Sequence, residues 1–149
     1  MSELCIREML DEDIDAVVVV ENQSFSTPWS RKAFEEELNG NELAHYLVVE
    51  EAGRLIGYAG FWIVVDEAHV TNVALLPECR GRGLGTLLLE HMIVAAKMLG
   101  ALSMTLEVRP SNTAARSLYS RRGFEERGIR PNYYAELGED ALIMWLDNL

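Results

Sequence analysis

Apolar and polar residues alternate over Leu4 to Met9, which predicts an opening strand. Asp11 stands where it would cap a helix from Glu12 to about Ser24, with acids in the first turn where the helix dipole favours them. Phe25-Ser26-Thr27-Pro28-Trp29 reads as a loop, since the residue before a proline avoids helix. Ser30 marks the start of a second helix to Leu38, and Gly40-Asn41 its end. Strands follow at about Tyr46 to Glu51 and Leu55 to Val65, joined by a turn at Ala52-Gly53-Arg54, and then at Ala68 to Leu76, which stops at Pro77. From Gly83 to Leu99 the residues Leu84, Leu88, Met92, Ala95 and Leu99 recur at three- and four-residue spacing, so a long helix with one apolar face is expected, stopped by Gly100. Leu102 to Val108 predicts a strand, Ser111 caps a helix to Arg122 with Gly123 behind it, and strands at Phe124-Glu125-Glu126 and near Ala141 to Leu146 close the chain. This order predicts an α/β fold, a mixed sheet with helices on both faces in one domain spanning 1–149.

Composition narrows the picture. At 149 residues, 49% of them apolar, the chain is long enough for one substantial core without disulfide or metal staples. No apolar run approaches the ~20 residues that cross a bilayer, and the start at Met1-Ser2-Glu3-Leu4 lacks a basic region followed by an apolar one, so neither membrane nor leader is expected. Two cysteines, Cys5 and Cys79, fit a reducing, cytoplasmic setting. His45, His69 and His91 are scattered, with no metal-site spacing.

Charge changes the picture more. The net charge of −11 argues against nucleic acid as the main ligand. It is also lopsided: residues 1–79 carry sixteen acids and four bases, while residues 80–149 carry eight acids and nine bases. Eight of the eleven arginines lie between Arg80 and Arg130. A solvated acidic face is one reading; a cationic partner on one side and a phosphorylated ligand on the other is the second.

The strongest local signal is Arg80-Gly81-Arg82-Gly83-Leu84-Gly85-Thr86, between a strand and the long helix. A glycine-rich turn opening a helix presents backbone N–H groups and the positive helix end to an anion. The Walker pattern fails because no lysine precedes Thr86, and the dinucleotide fingerprint fails because its third glycine would stand at position 86. A second constellation runs from Leu106-Glu107-Val108-Arg109 through Ser111, Asn112 and Tyr119 to Gly123-Phe124. Glu107 stands in an apolar strand, where a carboxylate is costly unless it is paired or lies at an opening. An ion pair with an arginine, a core role for Tyr119 and a backbone bond for Asn112 are the plain alternatives.

Taken together, these residues resemble the GCN5-related N-acetyltransferase (GNAT) superfamily. Arg80-x-x-Gly83-x-Gly85 is similar to its acetyl-CoA pyrophosphate loop, and Asn112 to Phe124 to its second cofactor segment. Pro28-Trp29-Ser30, Glu107-Val108-Arg109 and Arg130-x-x-Tyr133-Tyr134 narrow the resemblance to its bacterial ribosomal-protein-alanine acetyltransferases. The resemblance implies a mostly antiparallel sheet with a splayed acetyl-CoA cleft, and direct acetyl transfer to the N-terminal α-amine of a basic ribosomal protein that begins with alanine. It implies Glu107 as proton acceptor and Tyr119 as proton donor. The backbone of Val73, Ala74 and Leu75 would hold the thioester and pantetheine. Gly81, Arg82, Gly83, Leu84, Gly85 and Thr86 would cradle the pyrophosphate, and Asn112 the pantetheine arm. Trp29, Tyr133 and Tyr134 would line the acceptor side. No metal, nucleic acid or membrane enters this reading. Its rivals are acetylation of other N-termini or a small amine, and a non-catalytic CoA-binding module.

Overall fold

The computed structural model describes residues 3–149; the reading of Met1 and Ser2 as part of a chain start without a leader lies outside them. Strand β1 (Leu4–Glu8) pairs antiparallel with β2 (Ala44–Glu51), and β2, β3 (Arg54–Val64) and β4 (Glu67–Leu75) continue as an antiparallel meander. Helices α1 (Ile14–Ser24) and α2 (Arg31–Gly40) lie between β1 and β2 in the chain. Helix α3 (Leu84–Met98) carries the chain over to β5 (Ser103–Val108), which runs parallel to β4. After α4 (Thr113–Arg122), strands β6 (Glu125–Tyr134) and β7 (Glu139–Asp147) complete a seven-stranded sheet in the order β1-β2-β3-β4-β5-β7-β6. One parallel pair in an otherwise antiparallel sheet is the mixed, mostly antiparallel arrangement the sequence implied.

Strand β3 is the centre of the core. Every residue from Ile56 to Phe61 is buried, so both faces of the sheet are covered there. On one face Tyr58 meets Phe34 of α2 edge-on, with ring centroids 5.5 Å apart, and its hydroxyl reaches Glu21 of α1. Helix α3 also packs on β3 and buries Leu84, Leu88, Leu89, Met92, Ile93 and Ala96. Its buried face is therefore rotated slightly from the predicted stripe: Ala95 is half-buried and Leu99 is exposed. Gly60 has no substitute in β3, because a Cβ there would stand 2.1 Å from Cε1 of the Tyr46 ring. That ring lies across the strand, with its hydroxyl donating to Glu37 at 2.8 Å.

Three local expectations are corrected. Asp11 does not cap α1; residues 11–13 form a 3-10 turn and the helix begins at Ile14. The reason is Asp13, whose carboxylate takes both ends of the Arg7 guanidinium, at 2.7 and 2.8 Å, and the Leu10 N–H. Asn112, not Ser111, caps α4: its Oδ1 accepts the Ala115 N–H, while Ser111 turns its N–H and hydroxyl to Glu139. The strand predicted over Phe124 to Glu126 runs from Glu125 to Tyr134. It pairs with β7 alone as an edge strand, so its many polar residues face solvent rather than a core. Cys5 and Cys79 are both free, the first exposed and the second buried. No helix among the described residues is long and apolar enough to cross a membrane.

The Arg7 fork holds the Asp13 carboxyl below the ordinary carboxylate range. A depressed folded-state pKa adds stability that is complete above the unfolded value, near ~3.9, and is lost as pH falls through the folded one. Asp13→Asn should therefore lower the unfolding free energy by about 1–3 kcal/mol at pH 7. Denaturant titrations at a series of pH values should show the gap to wild type closing once pH drops below about 4.

Candidate active site

The site begins where a ladder ends. Strands β4 and β5 pair at Glu67 with Ser103, Ala68 with Met104 and His69 with Thr105, and no further. Beyond that point β4 continues beside β3 alone, and β5 beside β7 alone. The two strands splay, and the gap opens a cavity of about 720 Å³ walled by Val70 to Val73 on one side and Leu106 to Arg109 on the other. Parallel strands separated in this way leave backbone N–H and C=O groups facing the gap, which an extended ligand satisfies as an added strand would. The Leu75 carbonyl is already used, accepting from Arg80 Nε at 3.2 Å.

The cavity gathers Glu107, Tyr119, Asn112, Val73, Trp29, Tyr133 and Tyr134 from five separate stretches of chain. Ala74, Leu75 and the glycine loop do not line it; they follow along β4 beyond its edge. In the loop, Gly81 and Gly83 both take positive φ, +77° and +80°, and a Cβ built on either would meet nothing within 4 Å. The loop is thus an open, exposed shelf at the N-terminus of α3, where the first helical N–H groups lack helical partners. Arg82 pairs with Glu51 rather than standing free. More widely, Arg109, Arg116, Arg122, Arg127 and Arg130 also face carboxylates. The basic half is therefore largely neutralised by its own acids, and the shelf attracts anions through its backbone N–H groups and through Arg80, which bonds a carbonyl and a hydroxyl rather than a carboxylate.

Glu107 combines the two readings its sequence position allowed. Its Oε1 is 3.2 Å from Nη2 of Arg130, so it is ion-paired. Its Oε2 is buried and has no hydrogen-bond partner, so half of the carboxylate is left over. The Arg130 guanidinium also sits 5.0 Å from the centroid of the Tyr133 ring, which in turn meets Tyr134 edge-on at 4.9 Å. One arginine thus ties the strand β6 end of the cavity to Glu107. Tyr119 is 8% exposed, and burial, with a smaller contribution from Tyr134, pushes its phenol up to about 12. It keeps its proton throughout the neutral range. Burial, Tyr133 and Glu107 likewise push Tyr134 up to about 12.

The far wall rests on Glu21, which the sequence reading missed. Its side chain is 1% exposed, yet it accepts the Trp29 N–H at 2.8 Å on one oxygen and the Tyr58 hydroxyl on the other. The loop Phe25 to Trp29 is therefore pinned from beneath, and the Thr27 hydroxyl donates to Glu136 across the cavity mouth. A glutamate amid Val17, Val20 and an apolar helix face was the available signal. Among the charged groups on the cavity wall, Glu21, Glu107 and Glu136 outnumber Arg109. No cluster of three or more His, Cys, Asp or Glu side chains fit to hold a metal occurs among the described residues.

A seven-stranded sheet parted between its fourth and fifth strands, with a glycine shelf at the start of the following helix, defines an acyl-CoA transferase architecture. The model of the Acetyltransferase (GNAT) family matches residues 14–124, and the chain belongs to that family. A Bacillus subtilis protein provisionally named a [ribosomal protein bS18]-alanine N-acetyltransferase is 48% identical over 141 residues, covering 95% of this chain and 93% of that one. The Salmonella typhimurium [ribosomal protein bS18]-alanine N-acetyltransferase is 41% identical over 138 residues, 90% of each chain. The crystal structure of the Escherichia coli ribosomal-protein-S18-alanine N-acetyltransferase superposes with a TM-score of 0.89 at 36% identity, covering 98% of this chain and 94% of that one.

Glu21 generates a test of the wall. Glu21→Gln keeps the shape but turns an amide N–H₂ toward one of the two donors. Unfolding free energy should fall by about 1–3 kcal/mol, as measured by denaturant titration; an unchanged value would mean that the loop is held by other contacts.

Proposed function

We propose that this protein transfers the acetyl group of acetyl-CoA to the N-terminal α-amine of a ribosomal protein that begins with alanine. The observation that carries the reading is the cavity that brings Glu107, with one unpartnered carboxylate oxygen, and Tyr119, with its proton held, to the splay of β4 and β5. The names and high coverage of the relatives point to the same acceptor.

Acetyl-CoA supplies the acetyl group as a thioester. Its pyrophosphate fits the open shelf from Gly81 to Thr86, and its pantetheine fits the edge of β4 from Val73 to Leu75, which has no strand partner on that side and of which the Leu75 carbonyl is held by Arg80. Asn112 is engaged through Oδ1 in capping α4, so its part in holding the arm falls to its amide nitrogen. Arg82, paired with Glu51, contributes through its backbone.

The acceptor α-amine has a reference pKa near ~7.7–8.0, so roughly a tenth or more is neutral at pH 7 and a modest base completes the task. Glu107 takes a proton from the amine nitrogen, directly or through water, as the nitrogen bonds to the carbonyl carbon. The carbon–sulfur bond breaks, and Tyr119 donates to the departing sulfur. A phenol at about 12 donates first as a hydrogen bond, since a free thiol's reference value near ~8.5 lies well below it. The proton gained at Glu107 returns through solvent to restore Tyr119, leaving an amide and a free thiol. Trp29, Tyr133 and Tyr134 frame the entry for the peptide, whose positive end suits the acid-rich wall.

Glu107→Gln and Tyr119→Phe should each lower kcat on the order of 10²–10⁴-fold with little change in acetyl-CoA affinity. Either variant with near-full kcat removes that residue from the chemistry. Gly83→Val should weaken acetyl-CoA binding because a β-branched residue is strained at φ +80°, which distorts the shelf even though nothing blocks the side chain. Binding equal to wild type in calorimetry would reject the shelf assignment.

The acidic half of the chain generates a further expectation. KM for a basic alanine-ended peptide should rise with salt, because charge steering is screened within ~10 Å at 0.1 M. An uncharged alanine-ended peptide should respond little. Parallel salt curves for the two peptides would leave the charge asymmetry without a role in acceptor binding.

A further inference from the structure

Two buried side-chain oxygens among the described residues have no hydrogen-bond partner, Asn72 Oδ1 and Glu107 Oε2. Both residues line the same cavity between β4 and β5. An acceptor buried without a donor is costly, and two in one cavity call for donors that arrive from outside. Glu107 has its part as base. Asn72, 8% exposed, has none so far.

The orientation of the Asn72 amide is set by a chain of hydrogen bonds that starts at Glu21. With a donor on each oxygen, Trp29 N–H on Oε2 and the Tyr58 hydroxyl on Oε1, Glu21 acts as a carboxylate, which only accepts. The Tyr58 proton therefore points at Glu21, and the Tyr58 oxygen is left to accept. The Asn72 side chain faces that hydroxyl, and its effect on the phenol is that of a donor. Only the amide N–H₂ satisfies it, so the amide oxygen is turned away from Tyr58. Asn72 on β4 and Glu107 on β5 line the same cavity from its two opposite walls.

We propose that Asn72 Oδ1 is the second acceptor for the incoming α-amine. One N–H of the neutral amine goes to Glu107 Oε2 and the other to Asn72, which leaves the nitrogen lone pair as the free direction for attack. An amide oxygen takes no proton at neutral pH, so Asn72 orients the substrate and does not act as a base. Glu21 and Tyr58 act through it as positioning residues. The group this pair recognises is a primary amine, because a neutral secondary amine has one N–H too few. The inference rests on the acetyltransferase reading above.

The test compares kcat/KM for an alanine-ended peptide and for the same peptide beginning with N-methylalanine, in wild type and in Asn72→Leu. For the alanine peptide, Asn72→Leu should lower kcat/KM about 10- to 100-fold, while acetyl-CoA affinity stays within about twofold. The wild-type preference for alanine over N-methylalanine should shrink by a similar factor in the variant. A preference that persists unchanged in Asn72→Leu overturns the inference, because a structural defect slows both peptides alike and a steric exclusion of the methyl group acts alike in both enzymes. Should Asn72→Leu fail to fold, as judged by melting and acetyl-CoA binding, Tyr58→Phe carries the same two outcomes: it keeps the ring and removes the hydroxyl that orients the amide. If wild type acetylates neither peptide, the underlying reading falls and the inference with it.

Discussion

The parting of β4 from β5 after His69 and Thr105 is the constraint on which the rest of the structure depends. A sheet that stayed closed there would pair its backbone and leave no opening between its halves. Each half remains stable because it has a second partner: β4 is laddered to β3 along its length but for a bulge at Thr71, and β5 to β7. The core beneath β3, with Tyr58, Phe34 and Ile56 shut away, holds one side of the gap as a rigid wall. The opening therefore exists without strain at its centre, and its edges are made of regular strands rather than loops. That rigidity suits the proposed reaction, in which an amine, a thioester and two proton carriers stand at fixed separations.

Polar groups inside the fold are placed with the same economy. Glu21 satisfies two donors that the loop and β3 cannot satisfy themselves, and in doing so sets the direction of the Tyr58 hydroxyl. Arg130 satisfies half of Glu107 and stacks on Tyr133. The arginines of the second half mostly serve such internal pairings, which is why the charge contrast between the halves is sharper in the sequence than on the surface that meets a ligand.

The order of strands and helices was legible because each element carried its own period and its own punctuation. The glycine loop was legible because alternating glycines interleaved with arginines, between a strand and a helix, have few uses other than holding an anion. Less was visible where a long-range partner overrides a local signal. Asp11 looks like a cap until the Arg7 fork draws in Asp13. Ser111 looks like a cap until Glu139, 28 residues on, takes its N–H. The reach of β6 was hidden because an edge strand paired to β7 alone has no apolar alternation to show. Glu21 and Asn72 were passed over because their meaning lies in a chain of contacts across α1, β3 and β4, which no spacing in the sequence records. For Glu107, the ion pair and the opening were weighed as alternatives; the two carboxylate oxygens divide them.

The segments that frame the proposed acceptor side share one property. The loop from Phe25 to Trp29 and the 3-10 turn Ala135–Leu137 lie outside the sheet, and between Arg130 and Tyr134 strand β6 loses register with β7. Insertions and exchanges in these stretches would disturb few ladder bonds and little of the core. The shelf and the parted strands, by contrast, cannot change without changing the sheet itself. A descendant of this chain could exchange its acceptor while inheriting its acyl donor intact, so the fold keeps the common half of its chemistry and leaves the particular half free to diverge.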